Sequence, residues 1–330
     1  MLHFNSNNEY ISSFVLSVYI LGYAVGPLLV SPLSELFGRV PLYHFCNTVF
    51  TLYTLCCAYS DSLWTLALSR FFAGVGGSVC FALAPSSIAD IIPKEKRGAV
   101  MALIAIGYNL GPAISPTVGS YLHAAKGWQW VFYLTAILGG SATLLSFACL
   151  SESYEPVLLR RVAAQQRRVT GIEELRSKLD ADVGKSNLLI LRQAMVMPFR
   201  MLFFSPSILV ISLMTAIGYG FVYILYTTMP QTFIIGYLWQ PKNVGLAYLG
   251  TAVGNLLGMV AAGAYSDAFV KRRAAKGDTK PENRLYPMIF FWPLVSIGLF
   301  VYAWTTQEKV HWISALIGSA VFGAGAMSAM

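Results

Sequence analysis

Nine stretches of about twenty predominantly apolar residues, each long enough to cross a bilayer as a helix, run through the chain. They lie at approximately 11–31, 41–60, 64–90, 98–122, 129–150, 207–228, 244–265, 286–304 and 311–330. In hydrocarbon every backbone N–H and C=O must be satisfied inside the chain, so apolar runs of this length commit it to a bundle of spanning helices. Composition agrees: 12% of residues are charged, about half the share in a soluble domain. The fold class is therefore an all-α polytopic membrane protein. One long polar segment, 151–206, rich in Arg and Gln and expected to be part helical, interrupts the pattern. It separates an N-terminal transmembrane bundle over 1–150 from a C-terminal one over 207–330. Met1–Tyr10 has no basic n-region and no cleavage signal, so no signal peptide is expected.

The formal net charge of +8 would point to nucleic acid in a soluble protein, but its distribution excludes that reading. Of 23 Lys and Arg residues, nineteen fall in alternate loops on one side, and only Lys126, Lys242 and Lys309 fall on the other. By the positive-inside rule the basic side is cytoplasmic, which makes 151–206 the cytoplasmic inter-bundle loop. Its run Arg160–Arg168 is expected to touch anionic lipid. The remaining base, Arg70, lies inside a span.

Several chemistries drop out. Cys46, Cys56, Cys57, Cys80 and Cys149 lie in apolar runs without zinc or redox spacing, which predicts free thiols. His3, His44, His123 and His311 are isolated, so neither a metal site nor triad catalysis is supported. Gly74-Val75-Gly76-Gly77 lies within a span and no Lys-Ser/Thr follows, so it is not a phosphate loop. No paired acids or His clusters sit within a span, which argues against an intramembrane enzyme and for a protein without cofactors.

An internal repeat is visible instead. Gly26 precedes Glu35 by nine residues and Arg39 follows that acid by four; Gly258, Asp267 and Lys271 repeat the spacing six spans later. A second echo, also six spans apart, links Arg70-Phe-Phe-Ala-Gly74-Val-Gly76 with Ser319-Ala-Val-Phe-Gly323-Ala-Gly325. The common offset implies two homologous halves, as in transporters built from repeats.

The motifs themselves carry a resemblance. Pro32-Leu33-Ser34-Glu35-Leu36-Phe37-Gly38-Arg39 is similar to the loop signature of the major facilitator superfamily, with Glu for the usual acid, in the form typical of its fungal twelve-span drug:proton antiporter branch. Arg70 with Gly74 matches the fourth-helix motif of that family. Gly111-Pro112-Ala-Ile-Ser115-Pro116-Thr-Val-Gly119-Ser120 resembles its antiporter signature, with Ser for Gly at 115 and 120. Ala89-Asp90, Arg97-Gly98, Gly127-Trp128-Gln129-Trp130, Glu152-Ser153-Tyr154-Glu155-Pro156, Gly245-Leu246-Ala247-Tyr248 and Pro281-Glu282-Asn283-Arg284-Leu285 extend the match, with Gln129 where Arg is usual. The order is that of the family's helices two to ten, without equivalents of helix one or helices eleven and twelve. The resemblance implies two pseudo-symmetric six-helix bundles, here incomplete at about nine spans. It further implies a plasma-membrane exporter of drugs or secondary metabolites, exchanging a small, largely apolar compound for protons by alternating access, with no obligatory oligomer. A truncated, transport-incompetent product and an uncoupled facilitator are the rival readings.

The site residues follow. Glu35, Gly38 and Arg39 with Asp90 and Arg97, and Asp267, Lys271 and Arg272 in the second half, are expected to form a cytoplasmic gate. The alternative is solvated loop charges, exposed pairs being worth about 0–1 kcal/mol. Arg70 sits roughly 9 Å past Trp64 at the helical rise, placed either to line a cavity or to snorkel outward. Gly107, Gly111, Ser115 and Gly119 form a small-residue ridge at a spacing of four for close helix packing, on a helix bent by Pro112 and Pro116. Tyr108, Asn109, Tyr219, Tyr223, Tyr226 and Asn255 are the substrate-cavity candidates, with interfacial anchoring as the alternative for any one of them. No Asp or Glu lies mid-span, so a proton carrier is not identified by position.

Overall fold

The computed structural model describes residues 9–171, 187–275 and 286–329, and among these every long regular element is a helix. In order they are α1 (Glu9–Phe37), α2 (Arg39–Ala58), α3 (Leu63–Gly77), α4 (Val79–Ile91), α5 (Lys94–Lys126), α6 (Gln129–Cys149), α7 (Glu155–Thr170), α8 (Asn187–Phe204), α9 (Pro206–Gln231), α10 (Tyr248–Ala274), α11 (Tyr286–Gln307) and α12 (Trp312–Ala329). A π-turn, Thr232–Gly236, and a 3-10 turn, Pro241–Ala247, join α9 to α10. Six helical stretches among the described residues are long and apolar enough to cross a membrane: Ser17–Phe37, Leu63–Ile91, Lys96–Lys126, Gln129–Cys149, Pro206–Gly236 and Pro241–Arg273. The other three apolar stretches are helices as well. In α2 the apolar run is diluted by His44 and Asn47. The polar segment carries α7, which opens with Pro156 in its first turn and closes on Gly171 at φ 72°. The bases at 176–185 and 276–284 and the 281–285 motif lie outside the described residues, as does His3.

The chain divides into two compact units, Met1–Met101 with Trp128–Met201, and Ala102–Gly127 with Leu202–Met330. Most of α5 thus packs in the second unit, whereas sequence order groups it with the first. The second unit's core gathers Leu225, Met229, Phe233, Val295, Tyr302 and Phe322, all buried. In the first, Val30, Leu42, Tyr43, Cys46, Val79 and Leu83 are buried together.

Lipid is as apolar as a leucine side chain, so spanning helices gain little by hiding leucines from it and instead associate through close backbone approach at small residues. Both units use this device, and they use it at equivalent positions. In the first, a Cβ on Gly22 would strike the Phe71 carbonyl, one on Gly26 would come within 2.9 Å of the Val75 carbonyl, and one on Gly74 would meet Tyr19 O and Tyr23 N. In the second, Gly254 meets Ala320 O, Gly258 meets Ala324 O, and Gly323 meets Thr251 O and Asn255 N. The shift from Gly22 and Gly26 on α1 to Gly254 and Gly258 on α10 is the shift from Glu35 to Asp267, and Gly74 on α3 and Gly323 on α12 are the pair already matched in the second echo. The repeat read in the sequence is therefore present as matching backbone contacts, with α1 on α3 in one unit and α10 on α12 in the other.

Candidate functional site

At the junction where α1 ends and α2 begins, Gly38 has φ 99°, a conformation that L side chains rarely adopt. It breaks the helix between Glu35 and Arg39, so the one-turn relation expected of these two residues does not form. Glu35 is exposed. Arg39 turns inward and is buried: Nε donates to Asp90 Oδ2 at 3.3 Å, one terminal nitrogen donates to Ser34 Oγ at 2.7 Å, and the guanidinium lies 4.8 Å from the centre of the Tyr154 ring. The Ser34 hydroxyl in turn donates to Ser31 O at 2.7 Å.

Glu152 completes the cluster. Its carboxylate accepts from the backbone N–H groups of Arg39 (3.0 Å) and Val40 (3.3 Å), which opens α2 with a carboxylate cap. It also accepts from Ser153 N (3.2 Å) and Tyr154 N (3.1 Å). A Cβ on Gly38 would run into this carboxylate. Burial pushes the Tyr154 phenol up from its ordinary pKa, Glu35 and Asp90 add to the rise, and Arg39 and Arg160 oppose it. The ends of α1, α4 and α6 and the start of α2 are thus tied by one cation and two carboxylates.

Arg97 does not pair with Asp90. Past α4 the backbone turns extended at Ile92, and Arg97 folds back so that its guanidinium donates to Ile92 O (2.8 Å) and Ala89 O (2.6 Å), capping the carbonyls that end α4. Asp90 is left to Arg39. In the second unit, Asp267, Lys271 and Arg272 are exposed on the last turns of α10.

Arg70 is partly buried on α3, its guanidinium 5.3 Å from the centre of the Phe132 ring, and its Nε is buried without a hydrogen-bond partner. On α5, a Cβ at Gly107 or Gly111 would meet nothing within 4 Å, so no described neighbour of the second unit packs on that part of the ridge. Ser115 is exposed and Gly119 half-buried. Close approach occurs further along, where Gly245 lies against the Pro116 carbonyl and Thr117. There Thr117 Oγ1 donates to Gly245 O (3.0 Å), Ser120 Oγ to Lys242 O (3.0 Å) and the Tyr121 hydroxyl to Asn243 Oδ1 (3.3 Å). This clasp accounts for the placement of α5 with the second unit, and Pro112 and Pro116 lie inside the helix before it.

The cavity candidates separate into two kinds. Tyr108, Tyr219 and Tyr223 are exposed, the last two one turn apart on α9. Asn109, by contrast, is buried and donates to Ala105 O of its own helix at 2.8 Å. Asn255 spans the contact of α10 with α12, its amide nitrogen donating to Gly323 O (3.1 Å) and Thr251 O (3.3 Å), and its side chain also bonds that of Tyr226. Tyr226 is held further by the Tyr248 ring, 5.5 Å away, and its carbonyl accepts from the Tyr248 hydroxyl at 2.7 Å.

Glu152, Ser34 and the clasp do not stand out in the sequence as site residues. Ser34, Glu152 and three clasp residues, Thr117, Ser120 and Gly245, lie inside motifs of the family resemblance, which is the available signal; Tyr121, Lys242 and Asn243 lie outside them, and the pairing across the clasp, between residues far apart in the chain, has no sequence signal.

The profile of the Major Facilitator Superfamily matches residues 2–330. The chain is 41% identical over 325 residues to an MFS-type transporter, atr4, of Stereocaulon alpinum, covering 98% of this chain and 58% of that protein. It is 42% identical to the MFS-type transporter tndD of Aspergillus flavipes, with 98% and 61% covered, and 37% identical to the efflux pump radE of Floropilus chiversii, with 98% and 60% covered. It therefore spans about three-fifths of the length of these relatives. In fold it resembles the xylose transporter XylE from E. coli, with TM-score 0.67, 18% identity, and 98% of this chain and 74% of that one covered. Family profile, relatives and fold agree with the paired repeat seen in the helix contacts, and this multi-pass membrane chain belongs to the major facilitator superfamily.

Proposed function

We propose that the chain forms the larger part of a secondary exporter in the plasma membrane, moving a small, largely apolar compound such as a drug or secondary metabolite outward in exchange for protons. The observation that carries this reading is the buried Arg39 guanidinium shared among Asp90, Ser34 and the Tyr154 face, with Glu152 capping the adjoining helix. A cluster that ties four helix ends through one ion pair has two discrete arrangements, made or broken, and a ligand or proton that favours one shifts the whole element. Protonating Asp90 would remove the partner of Arg39. With no carboxylate in mid-span, the acids of this cluster and Glu35 are the groups through which proton entry couples to substrate exit. The exposed tyrosines of α9 offer substrate an aromatic surface with hydroxyl anchors, Arg70 supplies an intramembrane charge, and the bases of α7 meet anionic lipid headgroups.

The test is substrate flux in sealed vesicles, measured for a full-length counterpart and for this chain. Collapsing the pH gradient is expected to stop export; unchanged flux identifies a facilitator without proton coupling. Flux by the full-length protein and none by this chain identifies a product too short to transport. Because Glu35 is exposed, Glu35→Gln is expected to lower turnover while leaving expression and monodispersity intact. Equal loss of both would assign Glu35 a folding role instead.

A further inference from the structure

The second unit holds an open cavity of about 600 Å³ beside the clasp between α5 and the turn that precedes α10, a size in the range of small-molecule sites. One wall is Trp239. Its ring is fixed edge-on against Phe233 (4.8 Å between centres) and Trp312 (5.4 Å), and its backbone N–H donates to Phe233 O at 3.0 Å. Tyr121 on α5 also lines the space, its hydroxyl engaged by Asn243.

The lip is Leu238, a non-glycine residue at φ 56° that is 86% exposed. A side-chain-bearing residue held there costs of order 1 kcal/mol or more, and such strain gathers where a protein positions groups for ligands. The flanking bonds hold it in place, Trp239 N to Phe233 O on one side and the Tyr237 hydroxyl to Thr305 O at 3.2 Å on the other. A large apolar side chain is thereby kept at the mouth of a space walled by fixed rings.

Charge selects the ligand. Among the described residues, Lys242 is exposed and is the one charged residue lining the cavity; no acid lines it, and Gln240 and Asn243 add amide groups. We propose that this cavity binds a small aromatic anion, its ring against Trp239 and Tyr121 and its acid group toward Lys242. Because Ser120 and Thr117 bond the Lys242 and Gly245 carbonyls of the same turn, occupancy also bears on how firmly the turn grips the end of α5. The site stands on the geometry of the second unit and does not depend on proton coupling or on which compound is exported.

The experiment uses the whole chain in phosphatidylcholine nanodiscs, with 4-nitrobenzoate as the probe and its methyl ester as the uncharged counterpart; nitroaromatics quench indole fluorescence on contact. The acid is expected to produce a saturable quenching component that disappears in Trp239→Phe. Lys242→Gln is expected to weaken that component by about three- to five-fold, the range of an exposed ion pair, while Lys242→Arg preserves it. Quenching by the ester should be the same in wild type and Lys242→Gln. Since the Lys242 side chain is exposed, its replacement leaves the fold intact, as the elution profile will verify. Quenching that is only linear in probe, a saturable component that survives Trp239→Phe, or equal weakening of acid and ester in Lys242→Gln would each overturn the assignment.

Discussion

Arg39→Ala lowers the stability of the first unit by about 2–3 kcal/mol, the scale set by breaking a buried or part-buried ion pair from one side. The side chain is 9% exposed and that of Asp90 23% exposed, so removing the cation strands a carboxylate that water reaches only in part. The Ser34 hydroxyl loses its donor and the Tyr154 ring loses the cation on its face. Arg39→Lys keeps the charge but not the planar fork that reaches Asp90 and Ser34 together, and it recovers less than half of the loss. The measurement is the thermal midpoint of the detergent-solubilised protein by fluorescence-detected size exclusion, for Arg39→Ala, Asp90→Asn and the double variant. The double variant should lose less than the two single losses added together, by a coupling of at least about 1 kcal/mol, as for contacting residues in one network. Additive losses would mean that the 3.3 Å contact does not carry the energy assigned to it.

The same residues mark how far the sequence could be read. Helix existence was legible because apolar runs of spanning length leave few alternatives, and the repeat was legible because a shared offset survives where individual residues have changed. Partner choice was not. Glu35 and Arg39 stand four apart, the spacing of helical neighbours, but Gly38 at φ 99° ends one helix and begins the next between them. Asp90 and Arg97 stand seven apart, yet the extended backbone at Ile92 turns Arg97 onto the carbonyls of α4. Glu152 reaches Arg39 across 113 residues of chain, a separation over which no local pattern extends. Small-residue stripes posed the converse problem. Gly107 and Gly111 on α5 carry the same spacing as Gly250, Gly254 and Gly258 on α10; spacing says that a helix could approach, and only the packing says which stripe is covered.

That contrast gives the second large effect. Gly254→Val is expected to cost at least about 3 kcal/mol, the upper range for forcing atoms into a filled contact, and to abolish monodisperse expression. The added carbons would enter the backbone of α12 at the Ala320 carbonyl, with the Ala320 Cα 2.7 Å from the new Cβ. Relief would require α10 and α12 to part, and Asn255 would then lose its bond to Gly323 O. Gly111→Ala is the matched control, since a Cβ there meets nothing within 4 Å; helix propensity alone predicts a gain of about 0.5–1 kcal/mol. Both are read by expression level and by the thermal midpoint of the solubilised protein. Ala320→Gly should fail to rescue Gly254→Val, because the obstructing atoms belong to the α12 backbone and remain when the methyl is removed. Rescue by that substitution would show that the Ala320 methyl and not the α12 backbone is the obstruction, and a Gly111→Ala penalty as large as that of Gly254→Val would show that the stripe on α5 is covered as well.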